Sequence, residues 1–87
     1  MQKLLQDANI GQNLQRLRRK RKISQYDMVK LLEKMGRSMS RASYAHIEQG
    51  IRNVYVSDLI LFRMILDVSF DDFFEGLSPE QPDREGS

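Results

Sequence analysis

Two neighbouring segments constrain this chain most, because each is punctuated as a helix at both ends. Ser24 precedes one and Ser40 the other, and a serine there can accept a hydrogen bond from a first-turn N–H. Gly36 and Gly50 close them, since glycine tolerates the left-handed backbone that stops a helix. In the first segment Asp27 falls at the third helical position, where its charge suits the helix dipole. Met28, Val29, Leu32 and Met35 form its apolar face, and Gly36-Arg37-Ser38-Met39 is a connection. In the second, Tyr44 and Ile47 lie on one side. At about 100° per residue, Ala42, Ala45, His46 and Gln49 lie opposite. A face of small and polar residues suits close approach to another surface.

Three further helices follow from spacing and caps. One runs from about Ile10 to Lys22, with Asp7 or Asn9 as N-cap; Ile10, Leu14 and Leu17 form its narrow buried stripe. After a loop at 51–56, a fourth helix runs from about Ser57 to Leu66. A fifth spans Asp71 to Phe74, with Ser69 and Asp72 spaced as a capping box. No alternating strand pattern occurs, so an all-α fold is expected. The expected layout is a flexible segment or helix extension at 1–8, one domain at 9–77 and a disordered tail at 78–87.

Charge is distributed unevenly. Residues 1–22 carry seven bases against one acid, 23–53 five against three, and 54–87 two against eight. This polarity predicts a basic face for a polyanion and an acidic end turned away from it, although a solvated charged helix gives the same pattern. With no cysteine, thiol and iron–sulfur chemistry is excluded and a reducing cytoplasm is the natural compartment. No apolar signal-peptide core opens the sequence, and no apolar run approaches the roughly 20 residues of a membrane span. One histidine, no metal-ligand cluster, no glycine-rich phosphate loop and no nucleophile motif argue against an enzyme, a metal or a cofactor.

The ordered set Ile23-Ser24-Gln25, Met28-Val29, Leu32, Ser40-Arg41-Ala42-Ser43-Tyr44 and Ile47-Glu48-Gln49-Gly50 resembles the Cro and phage-repressor family of helix-turn-helix regulators, the xenobiotic-response-element type. The resemblance continues through Leu59, Phe62, Leu66, Val68-Ser69 and Phe73-Phe74, covering roughly residues 10–74. It implies a compact five-helix, lambda-repressor-like DNA-binding domain with the helix-turn-helix in helices two and three. It also implies a cytoplasmic, nucleoid-associated regulator of bacterial or phage type, probing double-stranded DNA as a homodimer and acting as a repressor.

With that resemblance, the outward residues of the third helix, Ser40, Arg41, Ala42, Ala45 and His46, are expected to read bases, although a solvated arginine, a structural or idle histidine and two helix-forming alanines would give the same sequence. Arg41 can make a two-pronged bond to a guanine edge, and the alanines permit close approach and contact with a thymine methyl. The resemblance gives Gln25 a phosphate contact, where an ordinary first-turn polar residue would read the same. Ser43, Gln49, Arg16, Arg19, Lys20 and Arg52 are further candidate phosphate contacts, individually weak and collectively salt-sensitive. Arg18 and Glu48 match a pair that forms a structural salt bridge inside this fold. One departure concerns the link between Leu32 and Ser40, which is about five residues longer than the three- or four-residue turn usual in such regulators. The extra residues either lengthen helix two or shift the reading helix relative to Gln25.

Between Leu59 and Leu66 seven of eight residues are apolar, interrupted by Arg63 alone. A small domain needs one apolar stripe, not a belt. Ile60, Leu61, Met64, Ile65, Phe70, Phe73 and Phe74 are therefore expected to form a dimer interface, unless the fifth helix covers the belt within one chain. The alternative function is a protein-interaction module, antitoxin-like or adaptor-like, gripping a protein partner with the same apolar surface.

Overall fold

The computed structural model describes residues 3–4 and 10–76. The expected caps at Asp7 and Asn9 and the tail at 78–87 lie outside the described residues. Five helices make up the fold: α1 Ile10–Lys20, α2 Gln25–Lys34, α3 Arg41–Glu48, α4 Val56–Leu66 and α5 Phe70–Phe73. Two short strands, β1 Lys3–Leu4 and β2 Val54–Tyr55, pair antiparallel, Lys3 opposite Tyr55 and Leu4 opposite Val54. Of the 1–8 segment, expected to be flexible or to prolong the first helix, the described part at Lys3–Leu4 is thus extended and paired. The expected 51–56 loop contains its partner strand.

Four of the helices stop on a left-handed residue, only two of them glycine. Gly36 and Gly50 have φ of 92° and 78°, and Lys22 and Asp67 have φ of 59° and 55°. At Lys22 the Ile23 N–H bonds the Arg18 carbonyl at 3.2 Å and the Lys22 N–H the Arg19 carbonyl at 2.9 Å. This six-to-one and five-to-two closure ends α1 at Lys20, two residues before the expected end.

The core gathers Ile10, Leu14 and Leu17 of α1, Met28 and Leu32 of α2, Tyr44 and Ile47 of α3, Val54, Leu59, Phe62 and Leu66 around α4, and Phe73 of α5. Tyr44 and Phe62 meet edge to face, centroids 5.8 Å apart at 79°. Each fully buried large side chain contributes about 1.5–3 kcal/mol, so a dozen residues hold the domain. Met35, expected on the apolar face of α2, is exposed, because the helix has already reached its cap there. Phe73, expected in a dimer interface, is fully buried; α5 folds back onto α1 and its Phe73 joins the core. Asn13 of α1 secures that return by donating to the carbonyls of Phe73 at 2.8 Å and Glu75 at 3.0 Å.

Candidate nucleic-acid interface

α3 is built to expose one side. Ser40 caps it by accepting from the Ser43 N–H at 3.0 Å. Tyr44, Ile47 and Glu48 turn into the core. Ser40, Arg41, Ala42, His46 and Gln49 remain exposed, and Ala45 is half-buried at their edge. Ser43, at the flank, accepts from Arg52 Nη1 at 3.2 Å, which draws the loop after α3 against the first turn of α3.

Behind this side lies a buried polar hub. Arg18 Nε donates to Glu48 Oε2 at 2.6 Å and Arg18 Nη2 to Oε1 at 3.1 Å, a two-pronged bond between side chains 7% and 0% exposed. Arg18 Nη1 donates to the carbonyl of Ile23 at 2.7 Å. Gln25 Nε2 and Gln15 Nε2 also donate to Glu48 Oε1, at 3.0 and 3.4 Å. One carboxylate therefore joins α1, the start of α2 and the end of α3. Burial alone pushes the Glu48 carboxyl up, but the neighbouring Arg18, Tyr44 and Gln25 groups outweigh it and hold it below the usual glutamate range. The bond to Glu48 raises the Arg18 guanidinium further, against the opposing effect of burial. Burial likewise drives the Tyr44 hydroxyl far above the tyrosine range.

Apart from the buried Arg18, the basic residues of α1, and Arg21 just beyond it, divide between two surroundings. Arg19 is exposed. Arg16 Nη2 instead bonds Glu75 Oε1 at 3.3 Å, and Arg21 Nη2 bonds the Asp67 carbonyl at 2.9 Å. Lys20 lines the same groove with Asp67, Asp72 and Glu75. Among the described residues, Asp67, Asp72 and Glu75 of the acidic stretch line one flank of α1, because α5 returns there to bury Phe73.

The apolar belt of α4 also divides. Leu59, Phe62 and Leu66 are buried, and Leu61 and Ile65 are half-buried against the core. Ile60 and Met64 are 41% and 53% exposed, and Phe70 and Phe74 of α5 are 42% and 44% exposed. Arg63 lies over the Phe70 ring, 5.0 Å from its centroid, so this interruption shields an aromatic face.

Comparison with solved structures gives a specific likeness. The chain is similar to the restriction-modification controller protein C.AhdI from Aeromonas hydrophila. The two share 26% identity at a TM-score of 0.65, over 76% of this chain and 92% of C.AhdI. No family model and no curated protein matches the chain. The likeness establishes the compact, five-helix, lambda-repressor-like fold, and it is to a controller protein rather than to an enzyme. Among the described residues there is no group of acidic, histidine or cysteine side chains placed to hold a metal, and no helix long and apolar enough to cross a membrane.

Three features escaped the sequence. Gly11 sits where α1 meets α3; a lone glycine inside a helix was its only signal. Arg37 pairs with the buried Asp58, a contact across 21 residues that nothing in the local sequence marks. Gln15 joins Glu48 from a position that reads as an ordinary helix surface.

Proposed function

We propose that this chain is a transcriptional regulator that binds double-stranded DNA sequence-specifically as a homodimer and represses by occupying a promoter. The observation that carries this is the outward side of α3: capped, free of bulky apolar groups and uncovered by the chain's own described helices. An α-helix presented in this way fits a major groove about 12 Å wide. Ser40, Arg41, Ala42, Ala45 and His46 read base edges. Gln25, Ser43, Gln49, Arg19 and Arg52 contact phosphates, and the Glu48 bond holds the Gln25 amide in place for that contact. Arg16 and Lys20, beside the acids of the α5 groove, contribute less. The likeness to a restriction-modification controller supports regulation without catalysis.

Ile60, Met64, Phe70 and Phe74 supply the two-fold contact, edged by Leu61 and Ile65. Their exposure on so small a domain also favours a second reading, in which the α4–α5 surface grips a different protein. The two can coexist, since they use different surfaces.

Selection of bound duplexes from a random pool tests the proposal. A recovered site with two inverted halves repeating about one helical turn apart is expected, with affinity falling steeply as salt rises. Absence of enrichment, together with salt-independent or undetectable duplex binding, overturns it and leaves the protein-gripping role.

A further inference from the structure

The connection between α2 and α3 is held by one ion pair. Arg37 Nε donates to Asp58 Oδ1 at 2.8 Å and Arg37 Nη2 to Asp58 Oδ2 at 3.2 Å. Arg37 Nη1 turns back to the carbonyl of Ser38 at 2.8 Å, so every nitrogen of the fork is engaged. The Arg37 backbone N–H bonds the Leu32 carbonyl at 2.9 Å. A single residue therefore touches the last turn of α2, the connection itself and the first turn of α4. Asp58 is 2% exposed and sits where the α4 dipole favours a negative charge. Two residues beyond Arg37, Met39 packs against the core, and Ser40 then caps α3. The ion pair lines a cleft of about 220 Å³ together with Ser43 and Ile47 of α3 and Arg52.

The Asp58 side chain is 2% exposed and that of Arg37 35%, and such a pair is a poor source of stability, because the cost of removing water from the buried carboxylate offsets much of the attraction. Its stronger contribution is geometric: a planar fork meets a carboxylate in few orientations. We propose that the Arg37–Asp58 pair is a positioning device for the N-terminal end of α3, fixing the connection that leads into it against α4 where a short turn would otherwise do so, while the Glu48 hub holds its other end. The inference rests on the DNA-binding function proposed above. Because α4 also carries Ile60 and Met64, the same pair ties the reading helix to the dimer face.

The discriminating variant is Asp58→Asn in the full chain, measured against the selected duplex and a scrambled duplex. Asp58 is buried and cannot touch DNA, and its neutralisation releases Arg37. If Arg37 were only a cation for phosphate, release would leave affinity unchanged or raise it. Positioning predicts the reverse: affinity for the selected duplex falls about tenfold or more, equivalent to losing one good base contact. Affinity for the scrambled duplex and the helical circular dichroism stay as in the wild type. Arg37→Lys, which keeps the charge but loses the fork, is expected to shift binding in the same direction. A folded variant of either kind that holds the selected duplex as tightly as wild type overturns the proposal while leaving DNA binding intact. If Asp58→Asn does not fold, Arg37→Lys decides alone. A wild-type chain that binds no duplex overturns both.

Discussion

Gly11 seats α1 directly on the backbone of Glu48. A β-carbon placed on Gly11 would lie 2.7 Å from the Glu48 carbonyl carbon and overlap the carbonyl oxygens of Ile47 and Glu48. The two helices therefore meet backbone to backbone at the end of α3. From that turn the Glu48 side chain reaches Arg18.

Gly11→Ala sets two effects against each other. Alanine improves helix propensity by about 1 kcal/mol. Overpacking typically costs about 1–3 kcal/mol, and more where backbone rather than a side-chain tip must yield. The clash wins, and a net loss of about 2 kcal/mol or more is expected by urea denaturation. A variant as stable as wild type would show that α1 and α3 do not approach so closely.

Acid should loosen the hub. The folded Glu48 carboxyl ionises below its ordinary value of 4.5, so its contribution is complete above that value. It is lost as pH falls through the lower folded pKa. Denaturation midpoints measured from about pH 7 down to about pH 3 should therefore drop on the acid side for wild type, and less for Glu48→Gln. At neutral pH that variant is itself destabilised by about 3–5 kcal/mol, because Arg18 is left buried without its counter-charge. Parallel acid limbs for the two proteins would contradict the assignment.

Apolar residues that sequence grouped together should behave as two classes. Ile60→Glu and Met64→Glu alter exposed positions and are expected to shift sedimentation toward monomer with little loss of monomer stability. Phe73→Ala removes a fully buried ring and is expected to cost about 3–5 kcal/mol in folding. An unchanged dimer mass in both glutamate variants would move the interface away from α4.

Arg41 is exposed in the first turn of α3. Arg41→Ala should keep the helical signal, cost about 1–3 kcal/mol in specific binding and relax preference at one base position. Repeating the duplex selection with the variant checks this. An identical recovered site would remove Arg41 from base reading.

What was legible along the chain is what neighbours in sequence decide between themselves. Ser24 and Ser40 cap their helices, Gly36 and Gly50 end two of them, and Ser69 donates its N–H to Asp72 at 3.0 Å, because caps and glycine stops act within one turn. The spacing of Leu14 and Leu17, or of Tyr44 and Ile47, marks a buried side for the same local reason. Arg18 and Glu48 were legible differently, through resemblance to a known fold. Folding in three dimensions settled the rest. Lys22 and Asp67 end helices without glycine, since packing and the capping bonds outweigh the roughly 1–2 kcal/mol that a left-handed backbone costs other residues. Arg16 faces Glu75, Arg37 faces Asp58 and Phe73 enters the core because α5 and α4 return to segments distant in sequence. Charge order and apolar count do not encode that return; only the joint burial of several helices selects it.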